Sequence, residues 1–375
     1  MKLPKKIQAK IQDRTQNNAL RTLPVAQNRI DFSSNDYLGF ATSKTIFHKT
    51  HQLLIDRNLT QNGATGSRLL TGNHELYQEV EAQICKFHNS ETALLFNSGY
   101  DANIGFFSSV PLRGDIILYD EFIHASIRDG IGMSNAKSYK FKHNNIDDLD
   151  KKLRQLSSEN HEIYIVTESV FSMDGDSPDL EKLIQLCDNY NAYLIVDEAH
   201  ALGVFGENGQ GLLQELGLET KVFARIYTFG KALGCHGAVI LGSQLLKTYL
   251  VNFARSLIYT TGLSPHAVAT IKIAYDELKE TQAISNLRKN ITIFQEATKN
   301  LHFIRGNAAI HCCILPGNEH VKAAAKKIQT KGFQVKPIVS PTVPKGKERL
   351  RFCLHAYNTK TEILDVIDAL KNSQL

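Results

Sequence analysis

Between Thr92 and Gly234 the chain repeats one pattern: a short, often β-branched apolar run that stops at a cluster of polar side chains. The runs are TALLFNSGY, GDIILYD, EIYIVTESV, AYLIVDEAH and RIYTFGKALG. Helical stretches such as IDDLDKKLRQL and DLEKLIQLCDNY separate most of them. Apolar runs without polar alternation belong to strands covered on both faces, and strands alternating with helices form crossover units. The pattern therefore predicts an α/β fold with a large, mostly parallel sheet flanked by helices.

The sheet pattern stops near residue 245. A long helical region from Pro265 to Leu301 follows, then strand-like AAIHCCILPG, helix-like EHVKAAAKKIQTKG, strand-like FQVKPIVS and ERLRFCLHA, and helix-like TKTEILDVIDALKNS. That second pattern predicts a smaller α+β C-terminal domain. With 375 residues, 42% of them hydrophobic, the chain can build two cores. The expected organisation is an N-terminal helix and short strand over residues 1–42, a large α/β domain over 43–270 and a small α+β domain over 271–375.

Several function classes are disfavoured. The net charge of +5 is mild and the basic residues are not clustered, so a nucleic-acid partner is not expected. No apolar run is long enough to span a bilayer, and the basic N-terminus lacks the apolar core of a secretory signal. The six cysteines show no C-x-x-C spacing, which predicts reduced thiols, no metal centre and a cytoplasmic protein.

In parallel α/β sheets ligands collect at the carboxyl ends of strands. Ser98, Gly99 and Tyr100 follow the first run, His124 the second, Ser172 the third, Asp197 and His200 the fourth, and Lys231 the fifth. Alone, each has an ordinary reading: a surface lysine, a helix-capping aspartate, a core histidine, a glycine turn. Together they form a convergent polar set. A desolvated lysine becomes a nucleophile or base. A lysine used as a Schiff base to pyridoxal phosphate needs three companions. Asp197 would hold the ring nitrogen protonated. His124 would lie against the ring. The helix start at Ser98-Gly99-Tyr100, with the Thr228 hydroxyl, would hold the phosphate.

These residues carry a family resemblance that extends along nearly the whole chain. FSSNDYLGF, GSRLLTGNHELYQEVEAQICKF, FNSGYDAN, HAS, SVFSMDGD, VDEAHALGVFGENGQG, TFGKALGCHGAVILGS, FARSLIYTTGLSP and PTVPKGKERLRFCLHA occur in order. The sequence resembles the α-oxoamine synthases, a branch of the fold type I (aspartate-aminotransferase-like) pyridoxal 5′-phosphate enzymes. The resemblance implies Lys231 as the Schiff-base lysine and acid/base, Asp197 on the pyridine nitrogen, His200 on the phenolic oxygen and His124 stacked on the ring. It implies the Gly99 and Tyr100 N–H groups and the Thr228 hydroxyl on the phosphate, and Ser172 near the ring and the acyl thioester. It implies Arg349 on the amino-acid carboxylate, Arg21 near the substrate entrance, and Thr260 or Thr261 on the phosphate of a neighbouring subunit in a homodimer.

SNDYLGF, SMDGD and PTVPKGKERLRFCL look most like family members that condense L-alanine with a pimeloyl thioester in biotin synthesis. A glycine-using relative is the alternative within the family. A dinucleotide-dependent oxidoreductase would need G-x-G-x-x-G in a first strand–helix turn; the glycines of GENGQG stand in the wrong order and too late. A non-catalytic binding protein on the same fold would have no use for Lys231, Asp197 and His200 together.

Overall fold

A computed structural model describes residues 3–23, 25, 28–156 and 161–373. Its contacts divide the chain into two units. The larger contains residues 36–172 and 177–284; the smaller contains the described residues of 1–35 and 285–375 together with 173–176.

The larger unit is built on a seven-stranded sheet: β1 (Thr92–Phe96), β2 (Ile116–Asp120), β3 (Lys137–Phe141), β4 (Ile163–Glu168), β5 (Tyr193–Asp197), β6 (Ala224–Thr228) and β7 (Ala238–Gly242). Their spatial order is β1-β7-β6-β5-β4-β2-β3. The β6-β5-β4-β2-β3 block is parallel, whereas β7 runs antiparallel to both β1 and β6. The mostly parallel sheet expected from the sequence is present. β1 and β4 are buried along their whole length, which is why they read as unbroken apolar runs. β3, by contrast, was not legible as a strand. KSYKF exposes all but its last residue at the sheet edge, where lysines discourage further pairing.

Helices Gly99–Ser109 and Ala125–Met133 lie against this sheet, with Phe106, Phe107 and Ile127 packed into a cluster with Phe96, Ile117, Val166 and Ile195. Glycine lets the two helices approach. A Cβ on Gly130 would lie 2.8 Å from the Asn103 carbonyl oxygen and 2.9 Å from Phe107 Cβ.

In the smaller unit β8 (Ile310–Ile314), β9 (Lys336–Ile338) and β10 (Arg349–Cys353) form an antiparallel sheet in the order β9-β10-β8. Helices Asn318–Thr330 and Lys360–Lys371 belong to the same unit, the latter opened by a Thr359/Glu362 capping box. The expected strand FQVKPIVS divides in two. Phe333–Gln334 pairs in parallel with Ile30–Asp31, and Lys336–Ile338 pairs with β10. Pro337, which lacks an N–H, sits on that edge strand. The long helical region also divides, into Pro265–Leu278 and Ala283–Ala297, with Thr281 Oγ1 accepting the Ala283 N–H at 3.1 Å. Helix Lys5–Gln16 occupies part of the expected N-terminal helix over residues 1–20, of which residues 1 and 2 lie outside the described residues.

The contact boundaries differ from the expected 42/43 and 270/271, falling at 35/36 and 284/285. The first moves because Ile30–Asp31 pairs with Phe333–Gln334 and the Cys353 N–H donates to the Phe32 carbonyl at 2.9 Å. The second moves because Pro265–Leu278 packs on helices Lys44–Asp56 and Glu75–Phe87. Residues 173–176 join the smaller unit through Gly175, where an added Cβ would meet the Ile310 carbonyl oxygen at 2.1 Å, and through an ion pair between Asp174 and Arg349.

The helix crossing at Gly130 is testable. Gly130→Ala gains about 1 kcal/mol of helix propensity but forces a methyl into a closed contact, at a cost of about 1–3 kcal/mol. The expected outcome is net destabilisation, read as a lower denaturant midpoint at unchanged slope. A raised midpoint would show that the two helices yield without strain.

Candidate functional site

Asp197 closes β5, and its buried carboxylate is held on both oxygens. Oδ1 accepts the Ala199 N–H at 2.9 Å and Oδ2 accepts Asn103 Nδ2–H at 3.1 Å. No helix starts at Asp197; turns run from 199 to 204, so the capping reading does not apply. Asn103 Nδ2 also donates to Ser126 Oγ at 3.0 Å, and that hydroxyl lies 2.7 Å from His124 Nδ1. The Ser126 N–H points at the same nitrogen at 3.2 Å. Because that N–H can only donate, Nδ1 is an acceptor and a neutral His124 carries its hydrogen on Nε2. His124 is exposed. Desolvation by its dense surroundings, reinforced by the positive charge of Lys231 and opposed by Asp197, holds its pKa below the ordinary 6.5.

Lys231 leaves β6 on a bend and is half-buried, with Nζ 3.5 Å from Thr228 Oγ1. Thr228 also meets the start of helix Gly99–Ser109: a Cβ on Gly99 would fall 2.3 Å from Thr228 Cγ2. Glycine is thus required where the helix start approaches the end of β6. The N–H groups of Gly99 and Tyr100 lie in the first helical turn, where no intrahelical acceptor exists. Ser98 is the N-cap. Its hydroxyl accepts the Asp101 N–H at 3.1 Å and donates to Asp101 Oδ2 at 2.8 Å, so it serves the helix first. The Tyr100 hydroxyl donates to Asp129 at 2.7 Å. Small residues around Lys231 have separate reasons. Ala232 is buried because Gly203 approaches it, and a Cβ there would lie 2.5 Å away. A Cβ on Gly230 would meet only the Cys235 carbonyl oxygen, at an ordinary contact distance of 3.6 Å.

His200 is buried, with Nδ1 2.7 Å from the Tyr37 hydroxyl. Tyr37 belongs to SNDYLGF and Asn103 to FNSGYDAN, and neither motif announces these contacts. Asn97 Nδ2 donates to Thr260 Oγ1 at 3.2 Å and to the Thr261 carbonyl at 2.6 Å, which fixes both threonines beside the glycine turn. Ser172 is half-buried after β4. Arg68 is anchored on Glu81 at 2.7 Å and lies over the Tyr77 ring at 3.9 Å.

Arg21 and Arg349 belong to the smaller unit. Arg21 is exposed and donates to Thr342 Oγ1 at 3.1 Å. Arg349 is buried, paired with the Asp174 carboxylate and donating to the Met173 carbonyl at 2.9 Å.

The larger unit thus gathers a buried carboxylate supplied with N–H donors, an exposed imidazole, a half-buried lysine and the first-turn N–H groups of Gly99 and Tyr100. The donor set fits pyridoxal phosphate: an anion for a ring nitrogen, a flat face for the ring, an amine for the aldehyde and N–H groups for the phosphate. The glycine contact at Thr228 is the structural detail that brings the phosphate-type donors toward the lysine.

Residues 27–370 match the family model described as aminotransferase class I and II. The chain is 40% identical to an 8-amino-7-oxononanoate synthase of Emericella nidulans, covering 96% of this chain and 92% of that one. It is 39% identical to a putative 8-amino-7-oxononanoate synthase of Bacillus cereus strain G9842, over 91% and 86%. Among solved structures, the Francisella tularensis 8-amino-7-oxononanoate synthase superposes with a TM-score of 0.79 at 30% identity, over 92% and 97% of the two chains. A Sphingomonas wittichii serine palmitoyltransferase superposes with a TM-score of 0.90 at 26% identity, over 100% and 98%. The fold is therefore fold type I, and the chain belongs to the aminotransferase class I and II family of pyridoxal 5′-phosphate enzymes, as an acyl-transferring α-oxoamine synthase.

Proposed function

We propose that the protein condenses L-alanine with a pimeloyl thioester, carried by coenzyme A or a carrier protein, to give 8-amino-7-oxononanoate, CO2 and free thiol in biotin biosynthesis. The observation that carries this reading is the match to synthases of that name along nearly the whole chain, with Lys231, Asp197 and His124 gathered at the strand ends. Bound pyridoxal phosphate supplies the electron sink that makes the amino-acid Cα proton removable near neutral pH.

The chain's own groups take the remaining tasks. Lys231 Nζ holds the cofactor aldehyde and moves the Cα proton. Asp197, kept in place by Asn103 and Ala199, presents a negative charge to the ring nitrogen. His124 offers a neutral stacking face. His200, oriented by Tyr37, would hydrogen-bond the cofactor's phenolic oxygen. The Gly99 and Tyr100 N–H groups and the Thr228 hydroxyl take the phosphate, with Ser98 building the helix start that presents them. Ser172 would lie near the ring and the acyl thioester. Arg349 takes the amino-acid carboxylate through a guanidinium fork suited to that shape, and Arg21 lies near the substrate entrance. In a homodimer, Thr260 or Thr261 reaches the phosphate held by the other subunit. Among the described residues no helix is long and apolar enough to cross a membrane, and the enzyme is proposed to act in the cytoplasm. The likeness to serine palmitoyltransferase favours a second reading in which another amino acid replaces alanine.

Thiol release from pimeloyl-CoA by the pyridoxal-phosphate-loaded protein tests the reaction. Release that depends on L-alanine is expected. Release with glycine or serine alone moves the chain to the sister reaction. Lys231→Ala is expected to lower turnover by at least about a thousandfold, since both covalent anchoring and proton transfer reside on one amine, while the circular dichroism spectrum is unchanged. Turnover near wild type in that variant would sink the assignment of Lys231.

His124 sets a pH limit. The folded protein binds a proton at this ring less tightly than free imidazole does, so the ring is neutral at pH 7 and charges only below the ordinary 6.5. Protonation there would place a cation against a cationic cofactor ring. The kcat/KM profile is expected to fall on an acid limb centred below pH 6.5, and His124→Phe, which keeps a flat face, is expected to flatten that limb. An unchanged limb in His124→Phe would assign it to another group.

A further inference from the structure

Three carboxylic acids stand at the carboxyl ends of neighbouring strands: Asp120 on β2, Glu168 on β4 and Asp197 on β5. Glu168 and Asp197 are register partners across the parallel β4–β5 ladder, so their side chains leave the sheet on the same face. All three are buried. Their supply of hydrogen-bond donors is unequal. Asp120 accepts the Phe122 N–H at 2.8 Å, His143 Nδ1 at 2.9 Å and the Asn144 N–H at 2.8 Å. Asp197 accepts from Ala199 and Asn103, one donor on each oxygen. Glu168 has the backbone N–H of His124 beside its carboxyl, and its Oε1 has no partner among the described residues.

Neighbouring buried carboxyls cannot all ionise, and the proton settles where the anion is least supported. Lys231 is the cation that faces Glu168, with His124 on the adjoining helix start and Asp120 and Asp197 on the flanking strands. Lys231 cannot serve as a permanent counter-ion if its amine is taken by the cofactor. We propose that Glu168 is a positioning residue held as a neutral carboxylic acid, so that the negative charge of the cluster next to the cofactor ring stays on Asp197. Burial, then the charge of Asp197, push the Glu168 pKa upward, in the same direction as the donor count. Its functional consequence rests on the cofactor reading above; its protonation does not. No motif flagged Glu168, because TES after an apolar run looks like an ordinary strand end.

The first test uses the cofactor-free full chain. Infrared spectra at pH 7 are expected to show a protonated-carboxyl stretch in wild type that is lost in Glu168→Gln. The second uses the loaded protein. Glu168→Gln, which keeps the shape and neutrality, is expected to leave the pH midpoint of the bound chromophore unmoved and cofactor affinity within about twofold, whereas Glu168→Ala loses about tenfold in affinity, the scale of one hydrogen bond. A wild-type spectrum without the band overturns the proposal. So does a chromophore midpoint that falls by about a pH unit in Glu168→Gln, the mark of a lost negative charge beside Lys231, or a Gln variant as impaired as the Ala variant. If Glu168→Ala does not fold, the spectrum and the Gln variant still decide. A chain that takes up no pyridoxal phosphate defeats the cofactor reading while the infrared arm still reports on Glu168.

Discussion

The site depends on keeping one anion, Asp197, at the end of a buried strand. A lone carboxylate in such a place would be strongly penalised. The fold offsets this with two donors from different sources. Ala199 is local, supplied by the turn that ends β5, whereas Asn103 comes from a helix nearly a hundred residues earlier in the chain. The same amide nitrogen reaches Ser126, and Ser126 holds His124. One asparagine therefore couples the charge to the His124 ring, and the glycine contacts of the two helices fix the depth of that asparagine.

The strand-end residues were legible because burial and chemistry leave opposite marks in a sequence. A doubly covered strand must be apolar, so a polar side chain at its end stands out, as Asp197 and Lys231 do. Partners supplied by helices leave no such mark. Asn103 sits among apolar and small residues of a largely buried helix, and only the fold brings it to Asp197. Tyr37 is equally silent, since a tyrosine before the apolar Leu38 reads as core until its hydroxyl is found on His200. β3 was lost for the converse reason: an exposed edge strand carries no apolar signal.

Arg349 shows how a correct motif can leave a side chain's surroundings unread. ERLRF predicts a strand, and β10 is one. Nothing in that stretch announces Asp174 as the partner, because the pairing joins residues far apart in the chain. A buried guanidinium without a counter-charge would be costly, so the Asp174 pair maintains the position of Arg349. If Arg349 takes the amino-acid carboxylate as proposed, that carboxylate meets a cation already held in place but partly neutralised. Such an arrangement favours orientation of the substrate over tight binding.

Discrimination between amino acids has a bounded strength for the same kind of reason. Alanine and glycine differ by one methyl group, and an apolar contact to one methyl is worth about 1–3 kcal/mol, or roughly 10–200-fold. Excluding the larger amino acid by lack of space has no such ceiling, because a closed contact rises steeply with overlap. A protein selective for alanine must therefore tolerate some glycine, whereas one selective for glycine can reject alanine almost completely. The ratio of the two rates, more than the presence of either, reports whether the space beside Lys231 is shaped to receive a methyl group.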